Sequence, residues 1–315
     1  MNRKMNLRIL LSVVALAVMA AAADLLGDKE VIFPEVAALA VGLWIADKRI
    51  WNVRGYQVPL LMTISAVLGV LITTYIQIPI FLQLTIAFVV SALLMTLLRI
   101  PLIPGIAAIL LPVLLHTESW FYPVSVCVMT TVMAVGASLM QRYGLKSPLA
   151  PVGKSGGATW QAAKTWATRY LLLLPWLAVA AAEGWLFAIV PPLVIILIEL
   201  TNPKNMFRNR PLTLWATVAA VAVIGTLCRY VLLQTLGLPY VVAVSISFFL
   251  AIMLIRRVGM MFPPIPALAV IPFILPAGYL YFPLEAAFGG AYAVAVPLIV
   301  ARIKNGNMSA AEKRQ

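Results

Sequence analysis

Few side chains in this sequence are of types that do chemistry, and those few are scattered. The one histidine, His116, stands near Glu118, and the two cysteines, Cys127 and Cys228, lie in apolar runs with no Cys-x-x-Cys spacing. An embedded enzyme would need paired carboxylates, a nucleophile with its base, or a cluster of metal ligands. None is assembled, so no catalytic residue, metal site or cofactor is expected. The cysteines read as small buried hydrophobes, and His116 as a solvated loop residue. Gly153-Lys154-Ser155 lacks the preceding strand and first glycine of a phosphate loop and reads as linker.

What remains is the chemistry of broken backbone and of isolated charges in apolar surroundings. Pro101, Pro104 and Pro112 crowd one segment, with Gly105 among them, and Pro263, Pro264, Pro266, Pro272 and Pro276 crowd another. Each proline removes a backbone donor, so both helices should be interrupted and leave carbonyls free. A helix restarting after Pro104 or Pro266 would turn its positive end toward an anion. Arg229, held at a vestibule, would attract an anion or pair with a carboxylate such as Glu183. Thr85 and Ser245, 160 residues apart, would flank a shared central site. The candidate pathway residues are therefore Pro104, Gly105, Pro264, Pro266, Thr85, Ser245 and Arg229. Glu35, Glu199 and Glu285 read as interfacial, and the sparse Ser and Thr hydroxyls as pathway lining or interhelical hydrogen bonds.

The elements that must position these residues follow from composition. The chain of 315 residues is 63% hydrophobic and 10% charged, with a mean hydropathy of +1.02. That is far from soluble composition. A soluble enzyme, a disordered chain and a nucleic-acid-binding domain are excluded; the partners expected are the lipid bilayer and a small solute or ion, with further copies of the chain left open. Apolar runs fall at about 7–27, 31–46, 57–76, 78–98, 100–115, 120–140, 168–182, 186–200, 211–232, 238–255, 260–276 and 281–301. Backbone groups in lipid must be satisfied within the segment, and no alternating strand pattern is present, so these are twelve helical spans. With the N-terminus placed in the cytoplasm, all of the 23 Lys and Arg except Lys29 and Arg229 fall on the cytoplasmic side. This distribution predicts cytoplasmic termini in a bacterial inner membrane. Whether the short fifth and eleventh segments cross or re-enter is open at this point.

The sequence also repeats. Shifted by 160, Pro79 lies on Pro239, Phe88 on Phe248, Pro104 on Pro264, Pro112 on Pro272 and Pro123 on Pro283. Upstream, Pro34 lies near Pro191, and the basic turn 47–55 near 202–210. The fold expected is an all-α polytopic membrane bundle of about 12 spans, built as two parallel six-span repeats with short proline-broken helices. Its units are a first repeat over 1–145, a cytoplasmic linker over 146–166, a second repeat over 167–303 and a polar tail over 304–315.

The repeat anchors resemble those of the HPP membrane proteins, named for a His-Pro-Pro motif ahead of a small-residue helix ending in Leu-Pro. The second half reads Phe262-Pro263-Pro264-Ile265-Pro266-Ala267-Leu268 and reaches Pro272; the first reads Leu102-Ile103-Pro104-Gly105-Ile106-Ala107-Ala108 and reaches Leu111-Pro112. Phe262 and Leu102 occupy the histidine position. The basic turn Arg49-Ile50-Trp51-Asn52-Val53-Arg54-Gly55 echoes another family feature. The resemblance implies an integral membrane protein similar to transporters of nitrite or another small anion. The expected function is transport of a small solute by alternating access between the repeats; the alternatives are a membrane-embedded enzyme on a lipid substrate or a structural membrane subunit.

Overall fold

The structure, a computed structural model, describes residues 3–148, 151–153 and 159–312. Lys154, Ser155, Gly156 and Gly157 of the glycine-rich stretch lie outside the described residues. The fold is all-α, 77% helical, with no strand among the described residues.

Among the described residues, eight helices are long and apolar enough to cross a bilayer. In the first half these are α1 (Arg3–Leu26), α3 (Gln57–Tyr75), α4 (Ile80–Leu97) and α6 (Phe121–Arg142). In the second they are α7 (Trp160–Glu183), α9 (Pro211–Leu227, continued by a π turn, Cys228–Thr235), α10 (Tyr240–Val258) and α11 (Phe282–Glu312). The second, fifth, eighth and eleventh apolar runs are shorter pieces. The second is a 3-10 turn (Lys29–Val31), then α2 (Glu35–Leu39) wound on into a π turn (Ala40–Ile45). The fifth is α5 (Pro104–Leu115); the eighth is a 3-10 turn (Leu186–Ile189) followed by α8 (Pro191–Leu200). The eleventh consists of two 3-10 turns, Ile265–Ala269 and Ile271–Ile274. Proline explains these lengths: Pro34, Pro104 and Pro191 stand where a helix starts, and Pro266 and Pro272 deny the eleventh segment the donors that an α-helix needs.

The second segment, though short, runs along much of two long helices. Near one end Ser125 Oγ donates to Val31 O at 2.5 Å, and Phe33 N donates to Met19 Sδ. Near the other, Arg8 donates to Trp44 O and, at 2.7 Å, to Asp47, while Lys146 Nζ donates to Leu43 O at 2.5 Å. The eighth segment ends in a similar way: Arg169 Nε donates to Thr201 Oγ1, and Arg208 donates to Leu200 O at 2.6 Å.

α1 packs on α10 and α4 on α7, while α5 packs on α8 and α2 on Ile265–Ala269. The short pieces therefore lie in the middle, and α5 and residues 262–273 are almost wholly buried. Non-helical backbone at membrane depth is tolerated only in such a place, sealed by protein. The long helices turn apolar residues outward, Leu10, Val14 and Val18 on α1 and Val124, Val128 and Val132 on α6. Close approach fixes the middle: a Cβ at Gly69 would lie 2.7 Å from Ile109 O, and one at Gly225 would lie 2.7 Å from Ala269 O. Gly69 and Gly225 let α3 and α9 touch the backbone of the fifth and eleventh segments.

Several expectations are corrected. α7 begins at Trp160, inside the stretch assigned to the linker, because Thr159 caps it by accepting from Ala162 N. α11 continues through 304–312, assigned to a polar tail, as no proline follows Pro297 to stop it. Cys127 is exposed on α6; only Cys228 is buried. The hydroxyls of Thr73, Thr96, Thr130 and Thr217 do not bridge helices through the bonds they donate, which go back to the carbonyl four residues earlier in their own helix.

Candidate functional site

The middle opens at one end of the bundle into a cavity of about 450 Å³. Its walls come in matching pairs. Lys29 and Glu30 face Leu186 and Phe187, which stand 157 residues later, and Leu115 and His116 face Leu275 and Pro276, which stand 160 later. Leu111, Leu114 and Ile274 make its interior apolar, and Tyr122 forms part of the wall. The mouth is polar and tied down: Asp28 accepts from Glu30 N at 2.8 Å, and Ser119 donates through Oγ to Asp28 and through N to Glu30, both at 3.1 Å. Burial raises the Glu30 carboxyl above its ordinary range; the Ser119 N–H opposes this, and Asp28 and Glu118 add to it.

Behind the cavity, the carbonyls left by the prolines are satisfied differently in each half. In α5, Pro112 has no N–H for Ala108 O, and the Tyr122 hydroxyl donates there instead at 3.1 Å. The helix then ends on its own backbone: His116 adopts a left-handed conformation (φ 54) and Thr117 N donates to Pro112 O at 2.8 Å. The eleventh segment borrows from its neighbours. Ser247 donates to Ala269 O at 2.8 Å, Tyr240 to Phe273 O at 3.0 Å, and Arg229 Nη2 to both Leu275 O and Pro276 O at 2.9 Å.

Arg229 therefore does not stand free in a vestibule. It lies 5% exposed on the π turn of α9, and its bonded partners are carbonyls rather than Glu183. Its lack of a basic twin has a simple origin. From Gly225 to Pro239 the chain is four residues longer than from Gly69 to Pro79, and the π turn holds the surplus and Arg229 with it. A π turn inside an α-helix often marks such a site.

The other candidates do not converge. Pro104 and Gly105 start α5 beside Leu61 and Ser65 and are not part of the cavity wall. Pro264 and Pro266 are buried at the 3-10 turn packed on α2 and α9. Thr85 donates to Phe81 O and shares a 3.0 Å hydrogen bond with Tyr170 of α7, while the Ser245 hydroxyl is buried without a partner on α10, the helix that packs on α1. These two belong to separate helix contacts and do not flank one site, because the matching helices meet opposite neighbours. The 3-10 turns at Ile265–Ala269 and Ile271–Ile274 are five and four residues long, too short for a sustained helix dipole.

Glu35, expected at an interface, is buried instead. It is 1% exposed, and neither carboxyl oxygen has a partner among the described residues. Taken as interfacial from its place near the start of an apolar run, it is turned inward by Pro34 against the core. The available signal was the comparison of halves, since Pro34-Glu35 aligns with Pro191-Pro192 and only one copy carries the acid. Glu285 at the start of α11 differs: the Tyr279 hydroxyl donates to it. Among the described residues no group of three His, Cys, Asp or Glu side chains could hold a metal ion.

No family model, no curated protein and no solved structure matches this chain.

Proposed function

We propose that this chain transports a small solute across a bacterial inner membrane by alternating access between two parallel six-span repeats, with both termini cytoplasmic. In this reading the four short segments cross with the eight long helices, giving twelve spans. The observation that carries it is the cavity, whose walls are supplied in pairs by corresponding stretches of the two halves. The exchanged packing, α1 on α10 and α7 on α4, α2 on Ile265–Ala269 and α8 on α5, supports a two-fold relation between the halves. A site between such repeats, bounded by broken helices, suits a solute that must be released to either side. The resemblance to HPP proteins adds nitrite, or another small anion, as the cargo to test first.

The test is uptake into sealed proteoliposomes of a panel of nitrite, nitrate, formate and uncharged small solutes. Time-dependent accumulation that is abolished by permeabilising the vesicles supports the reading. Absence of accumulation for every solute, or turnover of a lipid by detergent-solubilised protein, would replace it with a structural or enzymatic one.

A further inference from the structure

We propose that Glu35 is a proton-carrying residue that loads and releases one proton as the cavity changes sides, making transport proton-coupled. The inference rests on the transporter reading and supplies its coupling ion. Its ground is geometric. Glu35 is buried in the middle of the bundle, on the element that packs against α1, α5, α6 and Ile265–Ala269. Those neighbours bring almost nothing to balance a charge. α5 and Ile265–Ala269 contain no titratable side chain. α1 places Arg8 at the far end of the segment, on Trp44 O and Asp47, with Arg3 and Lys4 further along the same end, and its one carboxylate, Asp24, in its last turn. α6 brings Tyr122, which lies within electrostatic reach of Glu35 but donates its hydroxyl to Ala108 O. Lys29 and Glu30 stand at the mouth of the cavity.

A lone carboxylate in such surroundings, with no other residue's donor at either oxygen, is far costlier to bury than the protonated acid. A hard metal cation would need a shell of oxygen ligands, and no second carboxylate reaches this one. The ligand that fits a solitary acid is a proton. Tyr122 lines the cavity and lies within electrostatic reach of Glu35, so a movement of its ring is the step that would join the acid to cavity water. In loading, water on the open side gives a proton to a carboxylate oxygen and a new O–H bond forms. In release, that bond breaks and the proton passes to water on the other side, with no change of oxidation state. Ionisable groups held within membrane spans are the usual relays for such coupling.

The proposal is tested on the full chain in liposomes with dicyclohexylcarbodiimide, which modifies protonated carboxyls in apolar surroundings, read by mass spectrometry of the peptide containing Glu35. Labelling of Glu35 at neutral pH, falling about tenfold per pH unit once its midpoint is passed, is expected. Glu35→Gln should lose the label, Glu35→Asp should keep it, and Glu285→Gln should not change it. No labelling of Glu35, or labelling indifferent to pH, overturns the proposal. In a second arm, nitrite, nitrate and formate uptake is compared with and without an acidic exterior. Stimulation by the gradient should be lost in Glu35→Gln while solute exchange without a gradient persists; stimulation retained in that variant overturns the proposal. If wild-type vesicles accumulate no solute, the transporter reading fails, whereas the labelling still shows whether Glu35 binds a proton.

Discussion

The two halves meet the same difficulty, a helix fractured by proline in the middle of the protein, and resolve it differently. In the first half a single carbonyl is stranded by Pro112, one hydroxyl answers it, and the helix closes on its own backbone at His116 and Thr117. In the second half three side chains, Arg229, Tyr240 and Ser247, hold the eleventh segment in place. At the positions matching Tyr240 and Ser247 the first half has Ile80 and Ala87, and at Arg229 it has no counterpart. The greater the number of prolines, the more the neighbouring helices must supply, because a buried carbonyl without a donor costs about 1–3 kcal/mol. A second contrast lies at the ends of the short helices. Leu43 O is held by Lys146 and Leu200 O by Arg208, an amine that titrates against a guanidinium that does not.

These contrasts can be broken in order of effect. Arg229→Ala removes two charge-assisted bonds, each worth about 1.5–3 kcal/mol. It should destabilise the protein by about 4 kcal/mol in detergent unfolding, with Arg229→Lys recovering part of the loss. Lys146 comes next. Burial, helped by the charge of Arg8, pulls its pKa from 10.5 down to about 8. The folded state thus penalises the charged amine, the penalty is complete below about pH 8, and it is relieved as pH rises toward 10.5. Stability should climb across that window by up to about 3 kcal/mol, and Lys146→Met should flatten the climb. Arg208→Met should leave the pH profile unchanged. Gly225→Ala forces a methyl group onto the backbone of Ala269 and should cost about 2 kcal/mol; the matching Gly69→Ala should cost at least as much, since its methyl would meet both the Pro112 ring and Ile109 O. Smallest are Tyr240→Phe and Ser247→Ala, each about 1 kcal/mol by thermal unfolding, the low end of the cost of a buried carbonyl left without its donor.

Much of the architecture was legible in the residues. Composition specified a helical membrane protein, and the clustering of Pro101, Pro104 and Pro112, and of Pro263 to Pro276, located the fractured segments, since a missing donor is a local property that the sequence states outright. The site was less legible, for reasons that are also physical. Arg229 looked like a free charge because the carbonyls that hold it, Leu275 and Pro276, come from a different helix, and only the packed fold brings them within 2.9 Å. Thr85 and Ser245 align in sequence, but alignment between halves places residues at matching positions and does not bring them together. Glu35 was taken as interfacial because depth along a segment says nothing about which way a side chain is turned.

The plane between the halves has one more implication. Its polar ties include Thr85 with Tyr170, Arg256 with Asn6 and Trp51 with Glu199, while Ile106 and Ile109 of α5 and Leu193 and Ile196 of α8, two segments that pack on each other, are buried and apolar. Dispersion falls off smoothly with displacement and has little directional preference, whereas hydrogen bonds must snap and re-form. A joint built mostly of hydrocarbon has few hydrogen bonds to break when the halves move, so its resistance comes from the interlocking of side chains.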